Sequence, residues 1–168
     1  KSLTVVNSVD ICNNLQRLDQ EYNNSISDTQ MTLFFSKLAV MEFCGWIEES
    51  MDSILNDYID AHIVDDQCKK IIRGFIKQNH GFDYESNTYK IFAIVLGADN
   101  WENILDTLSP AERINFENLL KQYSKLRNKV AHTYTGVTTN YNAPSQVIVD
   151  YNNLLSPILK IESEVRNL

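Results

Sequence analysis

Glycine and proline are scarce in this sequence, with 5 Gly and 3 Pro among 168 residues. Because these residues interrupt regular structure and mark turns, their scarcity favours long helices over many short strands. The sequence also lacks a signal-peptide pattern and any apolar run that approaches the roughly 18 residues of a membrane-spanning helix. We therefore expect a cytoplasmic protein with no membrane partner.

Cysteine is also rare, and Cys12, Cys44 and Cys68 lie far apart in apolar helical patterns. Neither a disulfide framework nor a zinc site follows from this number and spacing, so we expect buried, reduced thiols. His62 and His80 lack metal-ligand spacing and are expected on the surface. There is no Gly-rich phosphate loop, nucleophile elbow or paired-carboxylate signature, and no metal or cofactor is predicted.

Basic residues are fewer than acidic ones: there are 15 Lys and Arg against 22 Asp and Glu, and the net charge is −7. Such a surface repels nucleic acid over most of its area, which argues against a general nucleic-acid coat protein. A site-specific nuclease with a small basic patch is still compatible with this balance. The length and the 43% hydrophobic content fit one globular domain over residues 1–168.

Apolar residues recur every three or four positions along most of the chain, which predicts helices. The predicted helices cover 3–24, Asp28 (as N-cap) to about Ile59, about 65–79, Tyr89–Leu96, Asp99–Leu108, 109 to Ala131 or His132, and about 145–167. The segment TYTGVTTNYNAP (133–144) is expected to be a loop, and Pro157 is expected to kink the last helix. The fold class is therefore all-α, a bundle of about four main helices plus short ones.

The sequence SPAE at 109–112 is the best local signal of a helix start. Ser109 fits an N-cap, Pro110 fits the first helical position, and Glu112 completes a capping box. On a wheel of about 100° per residue, the helix that begins here has an apolar arc of about 120°. This arc is expected to face the core and contains Phe116, Leu119, Leu120, Tyr123, Leu126 and Val130.

Two polar residues near the end of this helix stand out. Arg127 lies at the edge of the apolar arc. His132 lies about 140° away from Arg127 on the wheel. Side chains of modest size lie between them and form what we term the small-residue strip: Ser124, Asn128 and Ala131. Such a strip lets another backbone come close.

Arg127 and His132 can reach one phosphate in two ways. Either the helix frays near His132 and the arginine stem reaches across, or a second copy of the helix lies against the small-residue strip and brings two arginines and two histidines together. Arginine can hold a phosphate bidentately and histidine can transfer a proton, which suffices for attack of an RNA 2′-hydroxyl on its own phosphate. Lys121, Lys125 and Lys129 supply nearby positive charge and are the candidate RNA-binding residues.

The same residues have an ordinary structural interpretation. Arginine and histidine near the C-terminal end of a helix often cap carbonyl groups and complement the helix dipole. The residue types alone therefore leave both a catalytic and a structural interpretation of Arg127 and His132 open.

The sequence RNKVAH at 127–132 resembles the Arg-x4-His motif of HEPN domains, in which Asn frequently follows the Arg. It lies at the end of a late, long helix that is followed by a loop and a last helix. The layout is also similar to the RiboL-PSP-type HEPN branch, with IVLGADNW at 94–101 and YNNL in the last helix. This resemblance covers about residues 30–165. One departure is that Gly often follows AH directly in that branch, whereas here it comes only at Gly136.

HEPN domains are all-α bundles that dimerise and bring two such motifs together, and many are metal-independent endoribonucleases of toxin–antitoxin and other defence systems. The resemblance implies that Arg127 orients and neutralises the phosphate, Asn128 supports the site by hydrogen bonding and His132 transfers the proton. It also implies a homodimer through this helix, an RNA substrate and an antitoxin protein as partner.

The longer string RNKVAHTY also looks like the Arg-x4-His-x-Tyr form of HEPN toxins that are paired with a nucleotidyltransferase antitoxin. In that form the partner adenylylates the tyrosine, so the resemblance makes Tyr134 a candidate modification site. The alternative is a loop aromatic that packs on its own domain.

Glu48 falls within the predicted apolar stripe of the second helix. A carboxylate in such a place needs a partner, and Arg127, at the edge of another apolar arc, is the candidate. Alternatively, Glu48 lies at the margin of the stripe and is solvated like Glu49. The other members of the stripe are Phe34, Leu38, Met41, Cys44, Met51, Leu55 and Tyr58.

The function expected from these observations is a metal-independent HEPN-type endoribonuclease, a toxin or phage-defence component. The alternative is a catalytically silent HEPN-like module that binds a nucleotide, RNA or a partner protein. A purely oligomeric scaffold is a third class. Cleavage that depends on Arg127 and His132 separates the first class from the other two.

Overall fold

The computed structural model describes residues 4–134 and 140–168, and within them the chain is all-helical, as predicted. The α-helices are α1 (Val9–Asn24), α2 (Thr29–His62), α3 (Asp66–Gln78), α4 (Tyr89–Leu96), α5 (Ala98–Thr107), α6 (Pro110–His132) and α7 (Pro144–Arg166). A single π-helical turn, Tyr84–Thr88, precedes α4 and was not predicted.

The helix starts follow the capping signals in the sequence. The Asp28 side chain accepts hydrogen bonds from the backbone N–H groups of Gln30 and Met31 at the start of α2. At the start of α6, Ser109 and Glu112 form both hydrogen bonds of the predicted capping box. Pro144 occupies the first turn of α7, one residue earlier than predicted, because proline is well suited to that position.

Helices α1, α2, α6 and α7 form the main bundle, and α2 packs against the other three. With 34 residues, α2 is about 51 Å long. Helices α4 and α5 pack on each other beside the π-helical turn, and α3 contacts both α2 and α4. The core between these helices includes the fully buried Phe43, Ile47, Trp101, Tyr123 and Tyr151. Helix α7 continues through Pro157.

The N-terminal segment is not helical before Val9, which corrects the predicted helix over 3–24, and residue 3 lies outside the described residues. The buried carboxylate of Glu162 accepts hydrogen bonds from the Thr4 hydroxyl and from the Val5 backbone N–H. The Asn7 carbonyl accepts a third bond from the indole N–H of Trp46. Tertiary hydrogen bonds thus hold residues 4–8 in a non-helical path that local periodicity could not reveal.

Helix α2 also differs from its predicted apolar stripe. Phe34, Leu38 and Met41 are 51%, 38% and 37% exposed, whereas Cys44, Met51 and Leu55 are buried as predicted. The reason is that α2 contacts α1, α6 and α7 and therefore buries residues from several faces, including small ones. The exposed part, with Met31 added, is an exposed apolar stripe on the N-terminal half of α2.

The three cysteines are free thiols. Cys44 is buried as predicted, but Cys12 is half-buried and Cys68 is exposed, so the predicted burial of these two was wrong. No helix in the described ranges is long and apolar enough to cross a membrane.

Candidate active-site cleft

Helix α6 presents its residues much as the helical wheel predicted. Phe116, Leu120, Tyr123 and Val130 are buried in the core, and Leu126 is half-buried. The opposite side is open to solvent, with Asn128, Ala131 and His132 exposed and Ser124 half-buried. The small-residue strip is therefore uncovered in the single chain.

The predicted contact between Glu48 and Arg127 is present. The Arg127 Nη2 atom donates to Glu48 Oε2 at 3.3 Å, and the two side chains keep 36% and 30% of their surfaces exposed. Glu48 is thus neither fully solvated nor buried without a partner. The ion pair joins α2 to α6 and fixes one edge of the guanidinium group.

Buried polar contacts lie one turn before this ion pair on each helix. The Cys44 thiol donates to the carbonyl oxygen of Tyr123 at 3.7 Å. The Tyr123 hydroxyl donates to Asp150 Oδ2 at 2.7 Å, and Gln146 donates to the other oxygen of Asp150 at 3.0 Å. These bonds tie α2, α6 and α7 together and set the register in which Arg127 faces Glu48.

The pKa values of two of these groups are consistent with a donor role. Burial is the main reason that the pKa of the Cys44 thiol is raised to about 12; the charge of Arg127 opposes this rise and that of Glu48 adds to it. Burial, and then the bond to Asp150, also raises the pKa of the Tyr123 hydroxyl above its usual value. Both groups therefore stay protonated and neutral at physiological pH.

Arg127 and Glu48 line a cleft of about 210 Å³ between α2, α6 and the chain that follows α3. Asp52, one helical turn beyond Glu48, lines the cleft from the same helix, and His80 lines it from the segment that follows α3. The remaining lining residues are Met51, Ile76, Lys77, Asn79, Gly81, Phe82, Thr88 and Ile91.

The wall formed by residues 79–88 is held by its own hydrogen bonds. Asn87 Nδ2 donates to Asn79 Oδ1 and to the His80 carbonyl oxygen, each at 3.1 Å. The buried Thr88 hydroxyl donates to the Phe82 carbonyl oxygen at 3.0 Å. Gly81 has a φ of 104°, a conformation that glycine adopts without the steric cost of a side chain. This side of the cleft is therefore pre-formed.

Asp52 is the second carboxylate of the cleft. Desolvation by the surrounding protein, and then the negative charge of Glu48, raise the pKa of Asp52 to about 6. The residue nevertheless keeps much of its surface open at the mouth of the cleft, so solvent moderates this desolvation. Asp52 is still ionised at neutral pH, but it titrates closer to neutrality than an ordinary aspartate.

His132 does not line this cleft in the single chain. Helix α6 is continuous to His132, so fraying does not bring that side chain toward Arg127. Five residues of ideal helix separate them by about 7.5 Å along the axis and about 140° around it. Of the two routes considered for convergence, fraying is not seen, and pairing with a second copy of the helix stays a prediction.

The three candidate RNA-binding lysines differ in their surroundings. Lys121 forms an ion pair with Glu85 at 2.6 Å, which raises the pKa of Lys121 and satisfies part of its charge. Lys129 lies 5.7 Å from the centre of the Tyr141 ring. Lys125 is exposed and has no ion pair among the described residues. The three lysines therefore differ in how much of their positive charge is available to bind RNA.

The loop after α6 is only partly described. Thr133 ends α6, and its carbonyl oxygen accepts a hydrogen bond from the Lys37 ammonium group. Tyr134 is 74% exposed, so its side chain does not pack into its own domain. A modifying partner could therefore reach it. The remainder of the predicted loop over 135–139, including Gly136, lies outside the described residues.

Sequence reasoning missed the contributions of Asp52 and His80 to the cleft. Asp52 could have been found, because it follows Glu48 by four residues and so shares its face of α2. His80 was correctly predicted to be exposed, but its place in the lining of the cleft depends on the path of residues 79–88. In the described part of the chain, no cluster of three or more His, Cys, Asp or Glu side chains is placed to bind a metal ion.

Comparisons of the chain with family models, curated proteins and solved structures gave no match. The resemblance to HEPN domains therefore rests on the motif at 127–132 and the order of the sequence segments around it.

Proposed function

We propose that this protein is a metal-independent endoribonuclease of the HEPN type that acts in the cytoplasm as a toxin or phage-defence component. The observation that carries the proposal is the position of Arg127, whose guanidinium group lines a cleft and is oriented by Glu48 at 3.3 Å. Its free edge is available to bind a phosphate oxygen.

The reaction would proceed by attack of the RNA 2′-oxygen on the adjacent phosphorus. A bond forms between these atoms, the bond to the 5′-oxygen breaks, and the products are a 2′,3′-cyclic phosphate and a 5′-hydroxyl. One histidine accepts the proton of the 2′-hydroxyl and a second donates a proton to the leaving oxygen. Asn128 supports the site by hydrogen bonding.

A homodimer is part of the proposal because one chain places Arg127 and His132 on different sides of α6. The exposed small-residue strip would let two copies of α6 approach closely. The exposed apolar stripe on α2 also supports association. It lies near the motif, because Lys37 of the same helix segment donates a hydrogen bond to Thr133 at the end of α6. Exposed apolar surface of this kind is typical of interfaces.

The deciding experiment is cleavage of a labelled RNA in the presence of EDTA by the wild type, Arg127→Ala and His132→Ala. Each substitution should reduce the cleavage rate about 100-fold or more, because it removes phosphate binding or proton transfer. Arg17→Ala and His62→Ala change exposed residues outside the cleft and should cleave like the wild type.

The chemical form of the products gives a second readout. A cyclic phosphate end is expected from the wild type. Absence of cleavage by the verified dimer across varied RNAs would reject the ribonuclease and leave the silent binding module. Cleavage that is unchanged in both active-site variants would show that another site or a contaminant is responsible.

A further inference from the structure

The proposed reaction uses only one edge of the cleft, at Arg127, and leaves about 210 Å³ of space unexplained. This volume is below the roughly 300–1,000 Å³ of pockets for drug-sized ligands. It therefore fits a single ring system better than a whole nucleotide chain. The wall over residues 79–88 is pre-formed, so a rigid planar group could enter without remodelling it.

The lining combines buried apolar side chains, which we term the floor, with exposed polar side chains, which we term the rim. The apolar floor suits the faces of a flat heterocycle, and the rim offers both a hydrogen-bond acceptor, Asp52, and donors, Lys77 and His80. Single-stranded RNA bases are bound in this manner, by contact with their faces and hydrogen bonds to their edges. The floor consists of Met51, Ile76, Phe82 and Ile91.

Asp52 is the group that can select among bases. Its carboxylate has no hydrogen bond or ion pair among the described residues, whereas its neighbour Glu48 is bound to Arg127. An ionised carboxylate is an acceptor at both oxygens and can receive two parallel N–H bonds. Of the four RNA bases, guanine alone has two adjacent N–H donors, N1–H and N2–H, on its Watson–Crick edge.

We propose that the cleft is a guanine-binding subsite, in which Asp52 accepts both N–H bonds and the phosphate on the 3′ side of that nucleoside lies at Arg127. The inference rests on the proposed function, because it identifies the guanosine as the nucleoside whose 2′-hydroxyl attacks. Lys77 and His80, whose exposed side chains line the same cleft, supply donors for the O6 acceptor of the base.

Binding of guanosine 3′-monophosphate tests the subsite without requiring cleavage. At pH 7.5, where Asp52 is ionised, calorimetric titration should show at least tenfold tighter binding of this nucleotide than of the adenosine, cytidine and uridine 3′-monophosphates. Asp52→Asn should remove that preference. Arg127→Ala should weaken all four nucleotides together, and Glu49→Gln, on α2 outside the cleft, should bind like the wild type.

Sequencing the ends produced from a randomised RNA gives a wild-type readout that needs no substitution. Guanosine should precede most cuts. Equal affinity for the four nucleotides, or an unchanged preference in folded Asp52→Asn, would overturn the subsite. Cleavage without guanosine preference would do the same while leaving the ribonuclease intact, and guanosine-selective binding without any cleavage would retain the subsite and reject the enzyme.

Discussion

Arg127 and Glu48 are 79 positions apart in the sequence, yet the Nη2 and Oε2 atoms lie 3.3 Å from each other at the edge of a cleft. Both side chains are about one-third exposed, so the pair lies neither in the dry core nor on the open surface. Such a position suits a group that must stay oriented and still meet a ligand. The carboxylate also offsets part of the charge that a phosphate would encounter.

The first prediction concerns the orienting role of Glu48. Glu48→Ala should lower the cleavage rate about tenfold, which corresponds to about 1.4 kcal/mol, because Arg127 loses the bond that fixes its guanidinium group. Stability should fall by only about 1 kcal/mol, since the pair is partly exposed. Cleavage kinetics and urea denaturation measure the two effects separately.

Two matched variants test whether Glu48 acts through Arg127. Glu48→Gln keeps an oxygen that can accept from Arg127 and should recover most of the rate. Glu49→Ala changes the exposed neighbouring carboxylate and should have no effect. If Glu48→Ala and Glu49→Ala were equally harmless, the ion pair would have no positioning role.

The second prediction concerns the pH dependence of stability that arises from Asp52. Its pKa is about 6 in the folded state, against a usual value of 3.8. The folded state therefore binds more protons than the unfolded state between about pH 4 and 6, and stability from this group falls as pH rises through that window. The raised pKa means that the ionised form destabilises the fold at neutral pH.

Asp52→Asn should consequently stabilise the protein at pH 7 by about 1 kcal/mol, after allowance for the exposure of the residue. At pH 4 the variant and the wild type should unfold at nearly the same urea concentration. Urea midpoints across pH 4–7 provide the measurement. A stability difference that stays constant over this range would show that Asp52 is not perturbed by Glu48 and the cleft.

Local signals in the sequence predicted the parts of the fold that local interactions determine. The Ser109–Glu112 capping box and the apolar arc of α6 depend only on residues within one helix, and both are present. The contact of Glu48 with Arg127 was predictable because a carboxylate among apolar residues needs a partner, and Arg127 lies at the edge of another apolar arc.

The features that sequence reasoning missed depend on tertiary contacts. The predicted burial of the α2 stripe was wrong at Phe34 and Leu38. Because α2 has neighbours on several sides, its sequence alone does not show which apolar residues stay exposed. The non-helical path at Thr4 and Val5 depends on hydrogen bonds to Glu162, more than 150 positions away. His80 joins the cleft only through the fold of residues 79–88, which no periodicity describes.

The third prediction concerns the proposed homodimer. The small-residue strip holds exposed Asn128 and Ala131, and its modest size allows a symmetry-related helix to come close. Ala131→Arg would place a long charged side chain in the middle of that contact. It should dissociate the dimer and abolish cleavage together, because both motifs are needed at one site, while the helical circular dichroism spectrum stays unchanged.

Asn118→Arg is the matched control for this substitution, since Asn118 is exposed on the same helix but lies outside the strip on the wheel. It adds the same charge and should remain dimeric and active. Sedimentation and cleavage assays at equal protein concentration separate the two variants. Because the reaction is proposed to require an arginine and a histidine from paired helices, an Ala131→Arg monomer that cuts RNA at the wild-type rate would refute the shared site. Persistence of the dimer in that variant would place the interface elsewhere, with the exposed stripe of α2 the next surface to alter.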